Sequence, residues 1–369
     1  MKSVRVGLAG CGFAGSIHSR SLILAKGSSV GAKLNVELVV AADTDSARAK
    51  TVAQQYGWKH TETDWRKIFK HDINLLIIAT PNNEHAKIVR QAADQGITVL
   101  LEKPVTRTYE EALALRSVVN PDLVRVGYVN RFVPAVQQAK LVIGQGKIGT
   151  IRTFRSVYLL NMRQDGQKDN WRFIESLAGG GASDDLGSHH LDILEFLLGK
   201  VDTVQATSRI WDIANAPPVT NDDATNALLT LDNDAIGTLC TSRTSPGHSL
   251  TGYIEIEGSE GALKIDRAFL NELFYRDQSG SIIQLNARPA EPFVTMWASS
   301  TVQGAHPFSW YDCFAFQMAE MLMLVSGEKP ETTWSASLDD GVRAMATTHA
   351  IMESARDGSI RRPRENFRG

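Results

Sequence analysis

Gly10-Cys11-Gly12-Phe13-Ala14-Gly15 follows the apolar run Val4-Arg5-Val6-Gly7-Leu8-Ala9 and leads into Ser16-Ile17-His18-Ser19-Arg20-Ser21-Leu22. Strand, glycine turn and helix start, in that order, is the context a G-x-G-x-x-G spacing needs to signify a dinucleotide cradle. Each glycine then has a task. Gly10 permits the tight turn, Gly12 leaves room for a pyrophosphate against the backbone, and Gly15 lets the helix lie close to the strand. The phosphates would meet the unpaired N–H groups of the helix N-terminus, with Phe13 and Ala14 in the same turn.

Outward from this turn, strand-like runs at Val4–Ala9, Val36–Ala42, Asn74–Ala79, Thr98–Leu101 and Leu123–Tyr128 alternate with helical patterns. The helical patterns fall at Ser16–Ala25, Asp45–Tyr56, Glu84–Gln95 and Tyr109–Val118. Short, apolar strands separated by helices predict a doubly wound parallel sheet, an α/β Rossmann domain over residues 1–129. Ligands of such sheets bind beyond the carboxyl ends of the strands, so the residues there are the candidates.

After the second strand comes Asp43, placed to accept hydrogen bonds from the adenosine ribose and to repel a 2′-phosphate, which favours NAD over NADP. It lies further from the glycines than the usual ~20 residues, an excess the loop Lys26–Lys33 accounts for as an insertion. A plain surface carboxylate is the alternative. Asp45 is expected to cap the next helix. After the third run comes Thr80-Pro81-Asn82-Asn83-Glu84-His85. Thr80 and Asn82 are candidates for the cofactor's ribose or nicotinamide end, and simple helix capping by Asn82 or Asn83 explains the same residues. The fourth run ends in Glu102-Lys103-Pro104, an ion pair costly to half-bury without a role.

Residues 130–369 have a different texture. After Asn130-Arg131-Phe132 comes a helix over Pro134–Gly144, a strand over Thr150–Asn161, a polar loop at Gln164–Asn170, then Trp171-Arg172-Phe173 and Ala178-Gly179-Gly180-Gly181-Ala182. The next cluster is Ser183-Asp184-Asp185-Leu186-Gly187-Ser188-His189-His190-Leu191-Asp192, in which a helix from Asp184 would set Asp185 and His189 on one face. A carboxylate beside an imidazole is a proton-transfer pair. Helix capping by the aspartates with structural histidines is the competing reading, and His190 is expected in the core or supporting the site. Asp185, His189 and Asp192 are too few well-spaced ligands for zinc, so no metal is expected. Beyond Gly199 strands dominate: Val201–Trp211, Ala224–Leu231, Ile236–Arg243 and Tyr253–Glu257. They predict an α+β domain with a large, mostly antiparallel sheet. Helices over Phe308–Val325 and Leu338–Ala355 close the chain.

The Gly10–Gly15 turn, Ala79-Thr80-Pro81-Asn82 with His85, Gly96–Leu101 with Glu102-Lys103-Pro104, Asp185-Leu186-Gly187-Ser188-His189 with Asp192, and Leu338-Asp339-Asp340-Gly341-Val342-Arg343-Ala344 together resemble the Gfo/Idh/MocA oxidoreductase family. That family includes glucose–fructose oxidoreductase, inositol dehydrogenases and sugar dehydrogenases. The resemblance implies NAD bound by Gly10, Gly12, Phe13, Ala14, Gly15, Asp43, Thr80, Asn82, His85, Glu102 and Lys103. It implies catalysis by Lys103, Asp185 and His189, with Lys103 polarising a substrate hydroxyl and His189 taking its proton, and a sugar or polyol held near Arg131, Trp171 and Arg172. His306 is a further candidate neighbour. Arg163 and Arg172 are candidates for a substrate phosphate or carboxylate, or are solvated. The resemblance also implies a homo-oligomer, dimer or tetramer, through the C-terminal sheet. An NAD-dependent glycosidase and a non-catalytic NAD-binding regulator are the alternatives on this fold.

The bulk properties agree with an ordinary globular enzyme. The 369 residues are 43% hydrophobic and 22% charged with a net charge of −2, which gives no electrostatic footprint for nucleic acid or an anionic membrane. Cys11, Cys240 and Cys313 are odd in number and far apart, and with no signal-peptide pattern after Met1 the expectation is a reducing, cytoplasmic setting.

Overall fold

The computed structural model describes residues 1–163, 171–213, 218–290, 293, 308–328 and 330–364. Its strands are β1 (Lys2–Ala9), β2 (Leu34–Ala42), β3 (His60–Glu62), β4 (Leu75–Ile78), β5 (Thr98–Leu101), β6 (Val124–Val126), β7 (Ile151–Leu159), β8 (Val201–Arg209), β9 (Ala224–Leu231), β10 (Ile236–Ser242), β11 (Thr251–Gly258), β12 (Gly261–Asp266), β13 (Glu272–Asp277), β14 (Ile282–Asn286) and β15 (Ala336–Ser337). The helices used below are α1 (Phe13–Lys26), α2 (Ser46–Tyr56), α3 (Asn82–Asp94), α4 (Tyr109–Arg116), α5 (Pro134–Gly144), α6 (Glu175–Ala178), α7 (Ser188–Leu198), α8 (Trp310–Val325) and α9 (Leu338–Asp357).

The chain divides into two compact units. The first comprises Met1–Thr106, Glu110–Val133 and Pro289–Asp339, and the second Arg107–Tyr109, Pro134–Arg288 and Asp340–Gly369. The division at Val133/Pro134 falls four residues past the expected start of the C-terminal domain, and a late segment, Pro289–Asp339, groups with the first unit.

The first unit is a Rossmann sheet in the order β15-β6-β5-β4-β1-β2-β3, with every pairing parallel except that of β15 with β6. β4 is buried along its whole length, as a strand covered on both faces must be. Asp45 caps α2 by accepting the Ala47 and Arg48 N–H groups, and Gly57 ends that helix at φ +81°. Two strands of this unit escaped the sequence reading, as did β12, β13 and β14 of the second. β3 and β15 have three and two residues, too few to show a period. α8 starts with a capping box between Ser309 and Asp312 and lies against α1, where the His18 and Phe314 rings meet edge-on at 5.4 Å.

The second unit carries an eight-stranded sheet in the order β14-β13-β12-β11-β7-β10-β9-β8. All its pairings are antiparallel except β10 with β7. β9 alternates strictly enough to define two faces. Thr225, Ala227, Leu229 and Leu231 are buried, while Asn226 and Leu228 are exposed. No helix among the described residues is long and apolar enough to cross a membrane.

Candidate active site

In the first unit the glycine turn is built from backbone packed on backbone. Gly10 has φ +92°, and a Cβ there would lie 2.4 Å from the Ala79 carbonyl oxygen. A Cβ on Gly15 would lie 2.0 Å from the Gly10 carbonyl oxygen, so the third glycine lets α1 close onto the turn itself. Gly12 differs, since a Cβ there would meet nothing within 4 Å. α1 begins at Phe13, three residues earlier than expected, with Gly12 as an N-cap that lends no side chain. Its first-turn N–H groups thus have no side-chain cap, which suits an anion.

Asp43 is fixed from both sides. Its Oδ2 accepts the Cys11 N–H at 2.8 Å and its Oδ1 accepts the Asp45 N–H at 2.9 Å, with Arg48 Nη1 at 3.4 Å. A carboxylate tied to the glycine turn this way keeps lone pairs for a ribose diol. Burial, with the Asp43 charge adding to it, pushes the Cys11 thiol up to about 12, so it stays protonated. At the end of β4 the Thr80 hydroxyl is buried with no hydrogen-bond partner. An orphaned hydroxyl at a strand's carboxyl end is the kind of group a ligand completes. These features together fit a bound dinucleotide.

Three expectations about this region need correction. Asn82 does not cap α3; Pro81 holds that position and Asn82 is the buried first residue of the helix. His85 does not face a cofactor. It is wholly buried, with Nδ1 3.0 Å from the Pro104 carbonyl and Nε2 3.0 Å from the Thr80 carbonyl, and burial lowers its affinity for a proton. It braces the two loops that carry Thr80 and Lys103. Glu102 points inward as well. Its Oε1 meets His18 Nε2 at 2.7 Å and its Oε2 accepts the Lys103 N–H at 3.2 Å. Burial pushes the Glu102 carboxyl up, but the His18 hydrogen bond and the His18 and Lys103 charges outweigh it and hold it below its ordinary range. Glu102 thus anchors the Lys103 segment. His18, a buried residue of α1, is the member of this group the sequence reading missed. Its only signal was a histidine on the apolar face of an amphipathic helix. Arg131 is buried in a 3-10 turn, Val129–Phe132.

In the second unit, Asp185 and His189 flank a change of helix type. Ser183–Gly187 is a π turn and α7 follows from Ser188. The expected continuous α-helix from Asp184 is therefore replaced by a wider, i→i+5 turn that carries Asp185 and hands over to α7 just before His189. Asp184 turns back to accept the Gly180 N–H at 2.7 Å. Asp185 lies 4.0 Å from Arg172 Nε, and the Arg172 guanidinium lies over the Trp171 ring at 4.7 Å. Trp171, Arg172 and Asp185 are thus brought together, with His189 at the head of α7 and its ring 6.3 Å from that of Tyr158. His190 supports from behind. It stacks on Tyr158 at 4.7 Å, and its Nδ1 is 2.7 Å from the Ser156 hydroxyl. Burial, helped by the Arg267 charge, lowers its pKa to about 3, so it is neutral at physiological pH. Asp192 is buried further along α7.

Arg163 is neither a phosphate ligand nor solvated. It is buried, and its Nη1 pairs with Asp223 Oδ2 at 2.5 Å. Its partner belongs to the run Asn221-Asp222-Asp223, which the sequence reading did not single out. His306 and the Gln164–Asn170 loop lie outside the described residues.

Comparison with known proteins identifies the family. Residues 4–127 match the model of the oxidoreductase family with an NAD-binding Rossmann fold, and residues 136–264 match that of the GFO/IDH/MocA C-terminal domain. Levoglucosan dehydrogenase of Pseudarthrobacter phenanthrenivorans is 31% identical over 306 residues, 76% of this chain and 78% of that protein. The scyllo-inositol 2-dehydrogenase (NAD(+)) of Bacillus subtilis is 31% identical over 267 residues, 71% of this chain and 73% of that one. A solved levoglucosan dehydrogenase in complex with NADH and levoglucosan superposes with a TM-score of 0.90 at 28% identity, covering 99% of this chain and 100% of that one. The chain belongs to the Gfo/Idh/MocA oxidoreductases, with an NAD-binding Rossmann domain followed by that family's C-terminal domain.

Proposed function

We propose that the protein oxidises a secondary hydroxyl of a sugar, inositol or anhydrosugar with NAD, or reduces the corresponding ketone. What supports the reading is the similarity to levoglucosan and inositol dehydrogenases, with Lys103 just after β5 in a segment tied to Glu102 and with Asp185 and His189 around the start of α7.

NAD, when bound, supplies the hydride acceptor. The chain's residues supply the rest. The Gly10–Gly15 turn and the N-terminus of α1 take the pyrophosphate, Asp43 the ribose, and Thr80 and Asn82 the neighbouring cofactor groups. His189 takes the proton of the reacting hydroxyl as general base, a role typically worth 10²–10⁴-fold. Lys103, with its segment anchored through Glu102 and His18, polarises the same oxygen. Asp185 and Arg172 bind flanking hydroxyls as acceptor and donor, and Trp171 offers an apolar ring face to the sugar. The outer face of the eight-stranded sheet, with Leu228 and Ile236 exposed, is the proposed contact between protomers.

The test is NADH formation across a panel of inositols, aldoses and anhydrosugars, run with NAD and with NADP. Turnover of a polyol with NAD supports the reading. Tight NADH binding without net NADH formation overturns it, and release of a leaving group from glycosides would then identify a redox-neutral glycosidase.

A further inference from the structure

Asn221, Asp222 and Asp223 stand where the chain enters β9, and all three are buried. Their side chains hold two separate segments. The Asn221 side-chain amide donates to the carbonyls of Arg172 at 3.0 Å, Gly179 at 3.1 Å and Gly180 at 3.2 Å. Asp222 Oδ1 accepts the Gly181 N–H at 2.7 Å and the Ser183 hydroxyl at 2.9 Å. Its Oδ2 accepts the Ser183 N–H at 2.8 Å and the Thr225 hydroxyl at 2.9 Å. Asp223 takes Arg163 and Arg243 together, at 2.5 and 3.0 Å. Arg243 then closes the circuit, donating to the Asn221 carbonyl at 3.0 Å and side-chain oxygen at 2.8 Å, with its guanidinium over Phe173 at 4.9 Å.

The segments held are Trp171–Phe173, which carries Trp171 and Arg172, and Gly179–Ser183, which feeds the π turn carrying Asp185. We propose that Asn221 and Asp222 are positioning residues for the substrate: they set the register of Arg172 against Asp185, across which the sugar hydroxyls are read. What is positioned rests on the dehydrogenase reading; that two segments are locked together does not. The physical argument is one of expense. A buried cluster of two arginines and two aspartates is a poor stabiliser compared with apolar packing of the same volume. Here nearly every donor and acceptor in it is satisfied, and many of its bonds end on the backbone of the two segments that present candidate substrate residues. Gly181 shows how close the fit is, since a Cβ there would lie 1.9 Å from the Asp222 carbonyl oxygen.

Asn221→Asp keeps the shape of the side chain and replaces the donating nitrogen with an oxygen that repels three carbonyls. Ser183→Ala, a milder change, removes one hydroxyl donor to Asp222. The two variants are compared with wild type by amide hydrogen exchange over residues 171–188, by NADH titration and by steady-state kinetics on the best polyol. Asn221→Asp is expected to speed exchange at Gly181 and Ser183. It should raise the polyol KM about tenfold, as the loss of two or three hydrogen bonds implies, with a smaller change in kcat and an unchanged NADH Kd. Ser183→Ala should move in the same direction by about threefold, and it carries the test if Asn221→Asp does not fold. Wild-type exchange and wild-type KM in Ser183→Ala and in any folded Asn221→Asp would overturn the proposal, as would a loss of stability with kinetic constants intact. If wild type turns over no polyol, the dehydrogenase reading falls, while the exchange measurement still decides whether the two segments are locked by this cluster.

Discussion

Two glycine-rich turns, one in each unit, are built on opposite principles. In Gly10–Gly15 two glycines are consumed by backbone contact and the middle one, Gly12, faces open space. In Gly179–Gly181 none is open. Cβ atoms there would meet the Arg107 carbonyl at 2.3 Å, the Asp184 carboxylate at 2.6 Å and the Asp222 carbonyl at 1.9 Å. The first turn leaves open space at an uncapped helix N-terminus, as the proposed pyrophosphate site requires. The second is a close-packed strut that aims side chains. Glycine content does not separate these roles; what a Cβ would touch does.

The comparison can be sharpened first at its chemistry. His189→Ala should cut turnover by about 10²–10⁴-fold while NADH titration gives the wild-type Kd, because the two functions sit on different units. Near-normal turnover would remove His189 as base and break the division of labour.

A second test asks how dry the strut's surroundings are. The His190 pKa lies at about 3 against an ordinary 6.5, so the unfolded chain takes up the proton first as pH falls. Its contribution to stability is complete above about pH 6.5 and is lost progressively from there toward pH 3. Between pH 7 and pH 5 the loss should be about 2 kcal/mol, which His190→Gln should remove from the pH dependence of Tm. Equal slopes in the two proteins would mean that His190 is not held neutral among Tyr158, Ser156 and Arg267.

The smallest effect sought is at the cradle. Gly12→Ala meets no neighbour and Gly12 has φ −71°, so Tm should not move, while NADH Kd should rise about tenfold as the methyl displaces the pyrophosphate. Gly181→Ala serves as its contrast, because a backbone clash is expected to lower Tm outright. Equal melting of these two variants would erase the distinction between cradle and strut.

Much of the first unit was legible because its signals are local. Val99-Leu100-Leu101 is apolar because both faces of β5 are covered, the G-x-G-x-x-G spacing is a backbone requirement, and Asp45 caps the helix beside it. Short pieces such as β3 and β15 exist only by pairing with a formed sheet, and no period of two or three residues announces them. In the second unit the motif Asp185-Leu186-Gly187-Ser188-His189 was visible, but its π turn was not, since a helix that widens by one residue has the same composition as one that does not.

The sequence by itself determined a dinucleotide-binding Rossmann domain, a second domain with a mostly antiparallel sheet, and the membership that Glu102-Lys103-Pro104 and the Asp185–His189 motif announce. Those depend on backbone conformation, on burial periodicity and on residues close in the chain. Only the tertiary structure decided that His85 and Glu102 brace loops, that Arg163 is a buried structural cation, and that Asn221 and Asp222 are bonded to the backbone of Arg172 and of Gly179–Ser183. Hydrogen bonds between residues as far as 84 positions apart leave no local trace, because each side chain by itself reads like any other polar residue of its segment.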